Sequence, residues 1–248
     1  MSRSPMSHPL LRLASSLAVL AASAPLAQAA DLDSINLLTQ REFRQLSEDV
    51  AAITSFKPLM GAEPGGITGF DVGVTLSATE LAHRGVWRKA AGGSSVPEVV
   101  PVLGLRAHKG LPLNLDVGVF YNTLPDSNVR ATGGELRWAA LPGNAVLPAV
   151  AFRLSASSLS GVDQMKLRTT GADVSISKGF LFVTPYAGVG QVHVRSSARG
   201  APALRSESFT QTKLFAGANV GLGIGNLAFE ADKTGDTSSF GVKLSLGF

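Results

Sequence analysis

The sequence of 248 residues contains no cysteine. It can therefore form neither a disulfide framework nor a thiolate metal site. Charged residues are scarce as well, since Asp, Glu, Lys and Arg make up 16% of the chain while hydrophobic residues make up 45%. The formal net charge of +4 is too small an excess to indicate binding to nucleic acid.

Long apolar runs are also missing. After the N-terminal region, no stretch approaches the roughly 20 apolar residues that a membrane helix needs. Hydrophobic residues are nevertheless plentiful and are interspersed with 27 glycines, a composition typical of a transmembrane β-barrel. The sequence has no Gly-rich phosphate loop, no His cluster with metal-ligand spacing and no nucleotide motif, so neither a cofactor nor a metal is expected.

Residues 1–29 are predicted to be a cleaved signal peptide. Arg3 and Arg12 give a positively charged start, and a short apolar stretch diluted by Ser and Ala follows. Ala27-Gln28-Ala29 matches the small-x-small cleavage pattern, which places the cut before Ala30. The apolar stretch is too short for a membrane anchor, so the mature chain is expected to be exported through the inner membrane.

Residues 30–66 are predicted to form one amphipathic helix and a linker. Thr39 and Glu42 have the spacing of a capping box, and Pro58 ends the helical pattern. Our preferred interpretation places this helix on the membrane surface or over the periplasmic mouth of a barrel, and the alternative places it in the lumen as a plug. Apolar residues recur at helical spacing, at Phe43, Leu46, Val50 and Ile53. The residues predicted to form the wet face of the helix are Arg41, Arg44, Glu48 and Asp49.

From Ile67 onward the hydrophobic period changes to two. Ten segments of alternating apolar and polar or small residues predict ten antiparallel strands over residues 67–248. Most last about nine residues or more, the length that a tilted strand needs to cross a bilayer. Short and longer joins largely alternate, as expected when short turns face the periplasm and longer loops face outside.

The last segment carries a family resemblance. Phe240, Val242, Leu244, Leu246 and Phe248 occupy every second position and share one face of a strand. This pattern resembles the C-terminal insertion signal of proteobacterial outer-membrane β-barrel proteins. The resemblance implies an all-β, up-and-down barrel of about ten strands in the Gram-negative outer membrane. It also implies a monomer whose partners are membrane lipids, lipopolysaccharide and, during insertion, the barrel-assembly machinery.

A soluble β-sandwich is the competing fold, because its strands would alternate in the same way. The polar face of the ten segments is poor in Lys and Glu and rich in Gly, Ser, Thr and Asn, which favours a crowded lumen over a solvated surface. One feature departs from the family pattern. Barrels usually carry aromatic belts at both membrane interfaces, and this chain has only two Trp and two Tyr.

Charged residues on the predicted inner face are the candidate lumen-lining set. They are mixed in sign, so they can either fill a narrow barrel as salt bridges or line a polar pore. The set comprises Asp71, Arg106, His108, Asp116, Glu135, Arg137, Arg153, Asp173, Lys213, Glu230, Asp232 and Lys243.

A second candidate set lies in the long join after the first strand. Basic side chains beside an aromatic residue can contact lipopolysaccharide phosphates at the outer surface. The set comprises His83, Arg84, Trp87, Arg88 and Lys89.

Three functions remain open on the sequence. The first choice is a narrow, porin-like channel or transporter for small polar solutes. The alternative is a sealed structural or surface-interaction barrel that acts as an adhesin or contacts lipopolysaccharide. The third is a lipid hydrolase using His193 and Ser196, which lie close together in the sequence. Because that pair is a weak signal, no enzyme is expected.

Overall fold

The computed structural model describes residues 32, 34–125 and 127–247, and most of them belong to one closed β-sheet. Every strand pairs antiparallel with its neighbours in sequence, and the barrel closes where the first strand pairs with the last. The predicted ten-stranded, up-and-down all-β barrel is confirmed. The strands are β1 Phe70–Glu80, β2 Val99–Leu111, β3 Leu115–Thr123, β4 Arg130–Leu141, β5 Ala149–Ser160, β6 Met165–Ser177, β7 Val183–Ala198, β8 Glu207–Leu222, β9 Gly225–Thr234 and β10 Thr237–Gly247.

Alternation along each strand separates an inner polar face from an outer apolar face. In β3, Asp116 and Phe120 are buried in the lumen while Val119 is exposed on the outside. Period two predicts this arrangement because successive strand side chains point to opposite faces. In β10, the residues of the predicted insertion signal lie on the outer face, namely Phe240, Val242, Leu244 and Leu246. Phe248 lies outside the described residues, as does the predicted signal peptide.

The two ends of the barrel differ. One end holds residue 70, residue 247 and the joins 112–114, 142–148, 178–182 and 223–224; we call it the turn end. The opposite end, the loop end, holds the joins 81–98, 124–129, 161–164, 199–206 and 235–236.

Two helices accompany the barrel, α1 Gln40–Thr54 and α2 Arg84–Ala90, together with a 3-10 turn at Ile35–Leu37. Helix α1 begins with the predicted capping box, because Thr39 N–H donates to Glu42 Oε2 at 2.7 Å and Glu42 N–H donates to Thr39 Oγ1 at 3.3 Å. Within the described ranges, neither helix is long and apolar enough to cross a membrane.

Helix α1 and the chain after it lie inside the barrel; we call residues 40–66 the plug. At the loop end, Gln40 Nε2 donates to the carbonyl of Arg205 at 3.1 Å. Midway down the lumen, the rings of Phe56 and Phe120 pack edge to face with centroids 5.6 Å apart. The chain leaves at the turn end and enters β1, so it passes through the lumen from one end to the other.

The preferred placement of α1, on the membrane surface or over the periplasmic mouth, is therefore wrong. That placement assumed a wet face for α1, formed by residues such as Arg44 and Asp49. The structure turns this face toward the barrel: the Arg44 guanidinium stacks 3.6 Å from the ring centroid of Phe209, and the Asp49 side chain is fully buried. Arg44 and Asp49 therefore bind groups at the loop end of the barrel.

A cysteine pair tests the position of the plug. The hydroxyl oxygens of Ser47 on α1 and Ser196 on β7 are 2.7 Å apart, and the chain has no native cysteine. We expect Ser47→Cys with Ser196→Cys to form a disulfide readily on oxidation, since two thiols there come within bonding reach. A mobility shift on non-reducing gels measures it. The control pairs Ser47→Cys with Ser197→Cys, whose side chain lies on the opposite face of β7; equal crosslinking of both pairs would contradict a plug in the lumen.

Candidate functional site

The lumen is the first candidate site, and the plug fills it. After α1, residues 56–65 form neither a helix nor a strand, and their backbone does not pair with a barrel strand. Their backbone N–H and C=O groups therefore need other hydrogen-bond partners. Cations of the barrel wall bind its carbonyls: Lys213 Nζ donates to Phe56 O, and Arg137 Nη1 donates to Gly61 O at 2.5 Å. Wall side chains thus take the place of a neighbouring strand.

Wall carboxylates serve the backbone amides of the plug. Leu59 N–H donates to Glu230 Oε2 at 2.7 Å, and Gly65 N–H donates to Asp116 Oδ1 at 2.9 Å. Leu59 has a φ of +50°, a conformation that costs energy in a residue with a side chain. Its amide is aimed at Glu230 in this conformation.

A buried ion pair joins a plug side chain to the middle of the wall. Lys57 Nζ lies 2.6 Å from Asp232 Oδ1, and the two side chains are 4% and 2% exposed. At such burial, either charge alone would be strongly destabilising, so each requires the other. Arg106 Nη1 donates to the backbone carbonyl of Lys57, so a wall cation also binds the main chain of this residue.

The structure brings the twelve predicted lumen residues together on the inner face. Ten are buried, and Asp71 and Asp173 are half-buried. Because opposite charges alternate around the wall, most sit within ion-pair distance of a partner. The short pairs between strands are Lys243–Asp71 at 2.8 Å, His108–Glu135 at 2.6 Å, Arg153–Glu135 at 2.8 Å and Arg137–Asp116 at 3.0 Å.

A buried carboxylate at the loop end holds three parts of the chain together. Asp49 on α1 accepts hydrogen bonds from the backbone amide of His83 at 3.0 Å and from Trp87 Nε1 at 2.9 Å. Thr237 Oγ1 at the start of β10 donates to the same carboxylate at 2.9 Å. Sequence reasoning missed Asp49, because its helical position placed it on the wet side of α1.

We call the join 81–98, which contains α2, the cap. Most residues of the predicted outer-loop set hold this cap in place. Arg84 Nε donates to the carbonyl of Val96 at 2.9 Å, and Lys89 Nζ donates to Glu42 Oε2 at 2.7 Å. His83 and Trp87 bind Asp49, as described above. Arg88 remains exposed on α2. These residues therefore fasten α2 onto the plug, and the hydrogen bond from Lys89 lowers the pKa of Glu42 to about 2.

A cavity of about 310 Å³ lies at the loop end between the plug, the long join 81–98 and the joins after β3 and β5. Its apolar lining includes Val50, Ile53, Val100, Leu124, Leu159 and Val162. A few polar residues also line it, among them Asn128, Asp163 and Gln164. No sequence signal marked this cavity, because its walls come from five separate stretches of chain.

His193 and Ser196 do not form a catalytic pair. Ser196 lies in the lumen and contacts Ser47, whereas His193 lies on the outer face, where its ring nitrogens contact Thr210 Oγ1 at 3.2 Å and Ser208 Oγ at 3.4 Å. Residues three apart on a strand point to opposite faces, which explains the separation. Across the described ranges, no group of three His, Cys, Asp or Glu residues is arranged to hold a metal ion.

Removing the buried plug cation tests the importance of the wall contacts. We expect Lys57→Met to lower the free energy of unfolding by about 3–5 kcal/mol, because it leaves Asp232 buried and unpaired. The measurement is the guanidinium chloride concentration at which half of the protein no longer runs as the folded band on unboiled gels. Lys233→Met is the matched control, since Lys233 is exposed on the outer face next to Asp232, and a change within about 0.5 kcal/mol is expected. Equal losses for both variants would contradict this account.

The contact between α1 and α2 has a predictable pH dependence. The pKa of Glu42 is about 2 in the folded chain and 4.5 ordinarily, so the stabilisation by Lys89 is complete above pH 4.5 and is lost as the pH falls through about 2. We measure hydrogen–deuterium exchange of the backbone amides of α2 and correct the rates for the pH dependence of intrinsic exchange. The corrected rates should stay constant from pH 7 to pH 4.5 and rise near pH 2. Glu42→Gln should raise them at neutral pH; protection that disappears between pH 7 and 5 would count against the contact.

Comparison with known proteins finds similarity to solved structures. No protein-family model matches the sequence, and no curated protein matches it. Among solved structures, it is similar to LpxR from Salmonella typhimurium, at 11% identity and a TM-score of 0.37, over 71% of this chain and 100% of that one. It is also similar to the N-terminal β-barrel domain of Pseudomonas aeruginosa OprF, at 11% identity and a TM-score of 0.36, over 72% and 97%.

A third similar structure is the outer membrane protein Omp33 of Acinetobacter baumannii, at 9% identity and a TM-score of 0.34, over 76% of this chain and 100% of that one. Because these TM-scores are low, the fold assignment rests on the strand pairing of the chain itself. By that pairing the chain is a closed, ten-stranded antiparallel β-barrel with its own N-terminal segment in the lumen.

Proposed function

We propose that the chain is an integral outer-membrane protein, with its turn end in the periplasm and its loop end at the cell surface. The outer face supports this placement. On β6 the outward residues toward the turn end are Ala172, Val174 and Ile176, and exposed Phe180 and Phe182 follow in the turn. Such a face is costly in water and favourable in lipid.

The dimensions of this face agree with a bilayer. Arg168 is the last outward charge on β6 before the apolar stretch, and the strand ends nine positions further on, at Ser177. At about 3.3 Å per residue and a tilt of about 40°, this stretch is roughly 23 Å tall, close to the ~25 Å apolar band of outer-membrane barrels. Trp138 and Phe152 stack with ring centroids 6.1 Å apart on the outer face of β4 and β5, where lipid would surround them.

The filled lumen favours a sealed barrel over the channel that the sequence suggested first. This one observation carries the proposal: wall charges that would line a pore instead bind the plug and one another. A solute entering the lumen would have to break several charge-assisted hydrogen bonds at once. The protein then acts at the cell surface as a structural or binding barrel.

We infer that the cavity at the loop end is the binding site of this sealed barrel. A mostly apolar cavity of about 310 Å³ with a few polar groups is typical of a small-ligand site. Its lining favours a small, largely apolar ligand. Catalysis by His193 and Ser196 is not part of the proposal, since the strand places these two side chains on opposite faces.

Conductance measurements test the sealed lumen. We expect purified wild-type protein to give no steady ohmic conductance in planar bilayers, because the plug occupies the lumen. A variant lacking residues 40–66 that still folds should conduct, which shows that the method detects an opened barrel. A stable wild-type conductance that persists when the Ser47→Cys and Ser196→Cys pair is oxidised would contradict the proposal.

A cavity-filling substitution tests the binding site. Val100 lines the cavity, while Val99 next to it is exposed on the outer face. We expect Val100→Phe to weaken binding of a neutral naphthalene probe at least about tenfold, or about 1.4 kcal/mol, since the ring occupies the ligand volume. Fluorescence titration in detergent measures the affinity, with Val99→Phe as the control. Equal affinity for both variants would exclude this cavity as the site.

A further inference from the structure

Two arginines face each other on the outer wall of the barrel near the loop end. Arg168 on β6 and Arg195 on β7 are direct partners in the register of the two strands. Both are exposed, whereas their neighbours Leu167 and Val194 are fully buried in the lumen. Directly paired residues on one face of a sheet have Cβ atoms about 4.5–5.5 Å apart, so the two guanidinium groups can reach the same small area.

The charge of this pair is not balanced by the protein. In the described part of the chain, neither arginine takes part in an ion pair. Glu207, the acidic residue at the start of β8, binds Gln40 and Arg44 of α1 instead. Like charges placed directly opposite each other on a sheet are destabilising, which makes an anion between them favourable.

The surroundings of the pair extend this cationic surface with further donors. Lys166 is exposed on the same face of β6, two positions nearer the loop end, and pairs with Ser197 in register. Ser158 is the register partner of Arg168 on one side, and Ser208 is that of Arg195 on the other. The outer wall therefore offers two guanidinium groups, one ammonium group and flanking hydroxyls at a single level.

That level coincides with the outer boundary of the apolar stretch. Arg168 lies roughly 23 Å above Ser177, where β6 ends at the turn end, so the pair would meet the headgroups of the outer leaflet. Cations at this depth are partly shielded from water by lipid, and their attraction for an anion is stronger than on a solvated surface.

We propose that Arg168 and Arg195 form a binding site for the phosphate monoester of an anionic lipid in the outer leaflet. Each guanidinium can donate two parallel hydrogen bonds to phosphate oxygens, and Lys166 adds a third positive charge to a group that carries up to two negative charges. The site holds the barrel at a fixed height by its wall, separately from the loop-end cavity. This inference rests on the proposed membrane placement.

The test uses the full chain purified in a neutral detergent. Phosphatidic acid is the probe because it carries a phosphate monoester, and diacylglycerol with the same acyl chains is the matched neutral lipid. Native mass spectrometry measures the bound lipid. We expect wild-type protein to bind phosphatidic acid at least about tenfold more tightly than diacylglycerol. Arg168→Gln with Arg195→Gln should abolish this preference, while Lys233→Gln, an exposed outer-wall lysine on β9, should keep it.

Each alternative outcome is decisive. Equal binding of the two lipids, or an unchanged preference in the double variant, would overturn the site. Competition by inorganic phosphate at the same concentration as the lipid would show a free-anion site and overturn the lipid assignment. Heat-modifiable mobility on gels establishes that each variant is folded. A wild-type protein that stays soluble without detergent would refute the membrane placement itself, a result distinguishable from loss of lipid preference alone.

Discussion

The structure depends on hydrogen bonds to the backbone of the plug inside the closed barrel. Residues 56–65 form no helix and pair with no strand, and the charged wall supplies their hydrogen-bond partners. The dependence is mutual, because the wall charges are buried and would be costly without partners. Lys57 and Asp232 show this most clearly, since each is almost fully enclosed and each neutralises the other. Below α1, plug and wall thus form a polar core, whereas α1 itself packs on the wall through an apolar cluster that includes Phe43, Leu167 and Val194.

The path of the plug links the lumen to the surface. The chain begins the barrel at the turn end, yet α1 begins at the loop end, so the plug occupies the full height of the lumen. At the loop end, Asp49 binds the join after β1 and the start of β10. The same contacts that close the lumen therefore shape the cap, and the cavity between cap and plug exists only because α1 is inside.

The sequence predicted the barrel well and the plug poorly, for a physical reason. Period two determines which face a residue joins, so the twelve inward charges and the outward residues of β10 could be assigned from local spacing alone. The position of α1 depends instead on partners far away in the chain. Lys57 meets Asp232 across 175 positions, and the only local trace of that contact is a lysine after an amphipathic helix. Polar residues on α1 predict contact with water. In a barrel with a charged wall, however, such residues can contact the wall instead.

The most direct test of this account is the side of the membrane on which each end of the plug lies. Leu37, before α1, and Thr68, after the plug, are both exposed, and the chain has no native cysteine. Intact cells expressing Leu37→Cys or Thr68→Cys are treated with a membrane-impermeant maleimide. We expect labelling of Leu37→Cys in intact cells and of Thr68→Cys only after the outer membrane is permeabilised. Labelling of both positions from one side would contradict a chain that passes through the barrel.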